Sequence, residues 1–97
     1  MNGEINIDIL QDVIDTWGVD AQIEMIKEEC IELALALQKL NRTRGDENEK
    51  IANVIDEIAD VKIMICQAER IFSKERIDKR VDFKMFRLTQ RLKEKIG

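Results

Sequence analysis

The 97-residue sequence has no histidine, no proline and no tyrosine, and its aromatic residues are three phenylalanines and one tryptophan. Without histidine there can be no Ser-His-Asp or Cys-His nucleophile, no His-ligated zinc and no Glu-x-x-His di-iron bundle. With no proline and only four glycines, the turn residues that a β-sandwich or barrel requires are missing. The two cysteines, Cys30 and Cys66, lie in apolar helical stretches rather than in a spaced framework. That placement predicts buried, reduced thiols and a cytoplasmic protein. No apolar run approaches the roughly 20 residues of a membrane span. The opening MNGEINIDIL also lacks the basic region and apolar core of an export signal.

What remains is helix-forming material. The chain is 44% hydrophobic and 37% charged, and it is built largely from Ile, Leu, Ala, Glu, Lys and Arg. Its length fits one all-α domain over residues 1–97. A chain of this size buries only about two-thirds of its unfolded surface, so self-association is expected. The net charge of -4 conceals an asymmetry. Residues 1–72 carry 7 basic and 16 acidic side chains, net -9, whereas residues 73–97 carry 9 basic and 4 acidic, net +5. An acidic body with a basic final helix suits a site that handles cations and anions together.

Sparse punctuation divides the chain into four helices, over 7–17, 21–41, 47–72 and 74–95. Gly18 stops the first, Asp20 and Ser73 are expected N-caps of the second and fourth, and Gly45 supplies positive φ in the 42–46 loop. Steps of three and four residues define an apolar seam on helix two (Ile23, Ile26, Cys30, Leu33, Leu37, Leu40). A second seam follows on helix three (Ile51, Val54, Ile58, Val61, Ile65, Ala68, Phe72). Further apolar residues off these seams, such as Ile31, Leu35, Ile55 and Ile63, call for more packing partners. The expected architecture is an antiparallel helical hairpin in a bundle completed by oligomerisation, as a homodimer or homotetramer.

The candidate chemistry lies in two acidic pairs. Glu29 and Glu32 are i, i+3 neighbours on helix two, and Glu57 and Asp60 repeat the spacing on helix three. Each pair sits about a quarter turn from its seam, at ~100° per residue. In an antiparallel hairpin centred on Arg44, Glu29 faces Asp60 and Glu32 faces Glu57. Acidic i, i+3 pairs are also common on solvated helices, but two pairs at mirrored heights bring four like charges together. That is costly unless protons or cations neutralise them. Hard divalent ions with oxygen ligands are the natural partners, and Mg²⁺ also recruits phosphate oxygens.

The string Glu28-Glu29-x-x-Glu32, 24 residues, then Glu57-x-x-Asp60 resembles the signature of the MazG-like, all-α nucleoside triphosphate pyrophosphohydrolases. Trp17-Gly18, Gln22, Leu33, Ile58-Ala59-Asp60-Val61 and Lys84-x-x-Arg87-Leu88 with Leu92 agree with it, from about Trp17 to Leu92. The resemblance implies Mg²⁺-dependent hydrolysis of a nucleoside triphosphate to the monophosphate and pyrophosphate, with Mn²⁺ as a substitute, by a dimer or higher oligomer. Carried over by position, Glu29, Glu32, Glu57 and Asp60 are the metal ligands, and Glu28 is the catalytic base or water-orienting residue. Lys84, Arg87 and Arg91 form one stripe of helix four that suits a triphosphate tail. Gln22, one heptad before Glu29, and Trp17 are candidates for the base or sugar.

Two other readings stand beside this one. Relatives acting on dUTP or phosphoribosyl-ATP share the helical plan, although the latter typically carry a histidine that this chain lacks. A non-catalytic helical interaction module would use the seams for assembly and the basic helix for an acidic partner. The negative net charge and the absence of a recognised motif argue against nucleic acid. Phe83 and Phe86 in the basic helix read as core.

Overall fold

The computed structural model describes residues 2–42 and 44–97, the Arg42 side chain apart. The described residues form four helices and no strand: α1 Ile7–Trp17, α2 Val19–Arg42, α3 Glu47–Phe72 and α4 Lys74–Ile96. Local chemistry accounts for the helix starts. Asn6 Oδ1 accepts from the backbone N–H groups of Asp8 and Ile9 at 3.0 and 3.3 Å, and Asp46 Oδ1 accepts from that of Asn48 at 2.8 Å. Ser73 Oγ accepts from the Arg76 N–H at 3.2 Å. Each satisfies a donor that the first helical turn leaves unpaired. Asp20 does not cap α2. The helix starts directly after Gly18, whose carbonyl accepts from the Gln22 N–H at 3.3 Å, and Asp20 lies in the first turn, where a negative charge suits the helix dipole.

Helices α2 and α3 fold into the antiparallel hairpin that dominates the packing. The seam differs from the one read off the hydrophobic residues. On α2 the inward residues are Gln22, Ile26, Glu29, Leu33, Ala36 and Leu40, a regular alternation of four and three. On α3 they are Lys50, Val54, Glu57, Val61, Met64, Ala68 and Ile71. Each helix is turned so that a glutamate occupies a seam position. Cys30, Leu37, Ile51, Ile58, Ile65 and Phe72 are consequently exposed. The expectation of buried thiols fails for Cys30, which is exposed for the same reason, and Cys66 is only half-buried; both are free cysteines.

α1 docks across the open end of the hairpin. Leu10 is buried there, Arg70 donates to Gln11 Oε1, and Gln67 donates from Nε2 to the Leu10 carbonyl at 3.1 Å. α4 leaves the body at Ser73, the one described non-glycine residue with positive φ (101°). Beyond Ile77 every residue of α4 is exposed, including Phe83 and Phe86, so these two are not core within the chain. The Phe83 ring lies instead against cations, with Arg80 4.8 Å and Arg87 5.9 Å from its centroid.

The protruding helix leaves an open shape. The radius of gyration is 16.9 Å, against about 12.5 Å for a self-contained chain of this length. The accessible surface is 8025 Å², against about 5,700 Å² expected of a folded monomer of this mass. Leu10, Ala36 and Val54 are the buried apolar side chains among the described residues. No described helix is long and apolar enough to cross a membrane.

Candidate metal centre and adjoining cavity

The hairpin carries its acidic residues at mid-length. One carboxylate oxygen from each of Glu29, Glu57 and Asp60 lies within 4.8 Å of the others. Glu29 and Glu57 project from the seam, and Asp60 stands one turn beyond Glu57 at the exposed edge. Glu29 Oε2 and Glu57 Oε2 are shut off from solvent and have no hydrogen-bond partner. Burial of this kind disfavours the charged form. The Glu29 carboxyl is accordingly raised above its usual value, first by desolvation and then by the charges of Asp60, Glu32, Glu57 and Glu28. Glu57 is raised by desolvation and then by Glu32, Asp60 and Asp56.

Glu32, expected as the fourth member, is exposed and stands outside the trio of converging oxygens, although its charge acts on both seam glutamates. Glu28 is exposed and points elsewhere. It borders a cavity of about 540 Å³ together with Trp17, Gln22, Val13, Met25 and Met64. Three of the expected site residues, Trp17, Gln22 and Glu28, therefore share one concavity on the side of α2 next to the acidic cluster. Trp17 is 66% exposed and does not plug the core.

The basic stripe stands apart. Lys84, Arg87 and Arg91 line a shallow concavity of about 310 Å³ on α4, and they share no lining residue with the Trp17 cavity or the carboxylates. Among the described residues no ion pair joins Lys84, Arg87 or Arg91 to the acidic cluster.

Gln67 was not legible in the sequence as a buried residue behind Gln22. It is fully buried, donates to Leu10 O and, at 3.3 Å, to Gln22 Oε1, and leaves its own Oε1 without a partner. Its polarity within the apolar run Ile63 to Ala68 was the only available signal.

No family model, no curated protein and no solved structure matches the chain.

The donors of the trio are all carboxylate oxygens, two of them desolvated and unpaired, and their mutual repulsion is relieved by positive charge or by protons. A hard divalent cation fits such a set, and a soft metal that prefers thiolate or imidazole does not.

Proposed function

We propose that this chain is a Mg²⁺-dependent nucleoside triphosphate pyrophosphohydrolase of the MazG-like type, converting a (deoxy)nucleoside triphosphate to its monophosphate and pyrophosphate. The observation that carries the proposal is the pair of buried, unpartnered oxygens on Glu29 and Glu57, converging with Asp60 at mid-hairpin. Carboxylates placed there by packing alone would lower the stability of the hairpin, and a bound cation offsets that cost.

In this reading Glu29, Glu57 and Asp60 hold the ion, and Glu32 extends the set toward solvent. When bound, a divalent cation supplies charge neutralisation at the phosphates and a lowered pKa for a water molecule. Glu28, adjacent in sequence to Glu29 but turned into the cavity, accepts the proton of the attacking water. Trp17 offers a face for a base, and Gln22 a carboxamide for its edge. The cavity's volume is within the usual range for small-molecule sites, about 300–1,000 Å³. Lys84, Arg87 and Arg91 provide cations for the triphosphate tail. In-line attack at the α phosphorus asks mainly for positioning and charge stabilisation, which suits a chain without a histidine-activated nucleophile.

The same proposal includes oligomerisation. The surface in excess of a compact monomer, about 2,300 Å² by the scaling above, is of the size that one subunit contributes to a large obligate interface. Val81, Met85, Phe86, Leu88 and Leu92 on α4, with Ile31, Leu35 and Ile55 on the hairpin, are the exposed apolar side chains that such an interface would cover.

The direct test is pyrophosphate release from a panel of canonical and modified nucleoside triphosphates, dUTP and phosphoribosyl-ATP included, with Mg²⁺, Mn²⁺ or chelator. Metal-dependent release with a monophosphate product supports the proposal, and the preferred substrate names the subclass. No release from folded protein refutes it. The exposed apolar face of α4 favours one other reading, a helical interaction module without catalysis, whose melting temperature would not respond to Mg²⁺.

A further inference from the structure

We infer that Gln67 is a positioning residue that fixes which end of the Gln22 carboxamide faces a ligand in the Trp17 cavity, and so sets a preference for bases presenting a carbonyl rather than an amino group. The inference rests on the proposed reading of that cavity as the base site.

A backbone carbonyl only accepts hydrogen bonds. The Leu10 carbonyl lies 3.1 Å from Gln67 Nε2, so the amino end of Gln67 must face it. The second N–H of the same amino group reaches Gln22 Oε1 at 3.3 Å. The Gln22 carboxamide is therefore held by its oxygen, and its NH₂ group is the end without a protein partner among the described residues. Gln22 lines the cavity beside Trp17 and Glu28, so the polar group it can offer there is a donor.

Beyond holding the Leu10 carbonyl of α1, Gln67 has no packing need for its polarity. It is 0% exposed and keeps an unpaired Oε1, a deficit that Met or Leu at that position would avoid. A carboxamide there connects α1 to α2 through one amino group. It transmits the fixed polarity of a helix backbone to a side chain at the cavity wall. Uracil and thymine present O4, an acceptor, where cytosine presents an N4 amino group. A donor held in place favours the former.

Trp17 is the only tryptophan in the chain and lines this cavity, so its fluorescence reports occupancy without metal or turnover. Uridine and cytidine are titrated in chelator against the wild type, Gln67→Met and Gln22→Glu, with helix content checked by circular dichroism. The wild type is expected to bind uridine about tenfold more tightly than cytidine, the worth of one matched hydrogen bond. Gln67→Met frees the Gln22 carboxamide to turn over, and the ratio falls toward one. Gln22→Glu replaces the donor with an acceptor, and the preference reverses.

An unchanged ratio in folded Gln67→Met overturns the inference. If that variant does not fold, failure of Gln22→Glu to reverse the preference does the same. Absence of quenching by either nucleoside also overturns it. Failure of the pyrophosphohydrolase reading shows separately, as absent metal-dependent pyrophosphate release while nucleoside quenching persists.

Discussion

Glu29 and Glu57 face each other across the α2/α3 hairpin from seam positions that Leu33 and Val61, one turn along, fill with hydrocarbon. Each keeps a carboxylate oxygen out of water with no partner. Such a pair is a structural liability until something positive sits between its members, which ties stability and function in opposite directions.

The Glu57→Gln variant separates the two. It removes a proposed ligand and also removes repulsion from Glu32 and Asp60. Metal-dependent turnover should fall by at least about 100-fold, as expected for the loss of a direct ligand. In chelator the melting temperature should rise, and thermal denaturation followed by circular dichroism checks it. Near-normal turnover would mean that the trio is not the metal centre.

Proton linkage gives a second prediction. Both seam glutamates have folded-state pKa values above the usual 4.5. A raised carboxyl binds its proton more tightly in the folded state, so its contribution to stability is full below the unfolded value and is lost as pH rises through the folded value. Metal-free protein should therefore lose stability as pH climbs from about 4.5 toward neutrality. In the Glu29→Gln, Glu57→Gln double variant that slope should flatten. Denaturant midpoints measured across this window in chelator decide the point.

Mg²⁺ should oppose this loss. An ion that binds only the folded hairpin raises stability by mass action, about 2.7 kcal/mol at 100 times its dissociation constant. The gain should shrink on acidification, because protons compete for the same oxygens. It should be absent in Glu29→Gln. Differential scanning calorimetry with Mg²⁺ at fixed ionic strength distinguishes this binding from general screening.

How much of this was legible in the sequence depended on which physical signal each feature uses. Helix number, the positive φ of Gly45 and the approach of Glu29 to Glu57 and Asp60 follow from chain punctuation and from distance to the loop centre, and these are local properties. The loop begins one residue later than expected, since Arg42 still belongs to α2, and its Thr43 lies outside the described residues. Every second seam position was misplaced by one residue, while Ile26, Leu33 and Leu40 on α2 and Val54, Val61 and Ala68 on α3 were placed correctly. Hydrophobic spacing selects Cys30 and Ile58, whereas packing selects Glu29 and Glu57, whose apolar stems fill the position. The exposed thiol and the inward carboxylates are two consequences of that one rotation. Gln67 could not be found by periodicity, because its role depends on the Leu10 carbonyl 57 positions away. The fate of Phe83 and Phe86 was hidden for another reason: whether an apolar face on α4 is core depends on a partner that local patterning does not contain.

Ser73 joins α3 to α4 at φ 101°, a region that disfavours side chains, while its Oγ caps Arg76. The two effects separate by substitution. Ser73→Ala loses the cap and keeps the strain, and should cost about 1 kcal/mol. Ser73→Gly relieves the strain while giving up the side-chain bond, and should be neutral or slightly stabilising. Urea denaturation of the three proteins ranks them. A more stable alanine variant would refute this account of the junction.

α4 is exposed along almost its whole length. Its exposed Leu88 and Leu92 are one turn apart, on a helix with no intrachain cover beyond its first turn. Covering them with a second copy removes apolar surface from water at roughly 25 cal/mol per Å². Where the covering surface is the acidic body of the second copy, the contact would also deliver Lys84, Arg87 and Arg91 to the carboxylates. Leu88→Asp with Leu92→Asp should therefore dissociate the oligomer, with the mass falling to 11.3 kDa by light scattering at micromolar concentration. If the site depends on assembly, turnover should fall with the fraction of oligomer, although no metal ligand has changed. A wild type that is already monomeric at that concentration would refute the oligomer, and the α4 cations would then have to reach the phosphates by another route.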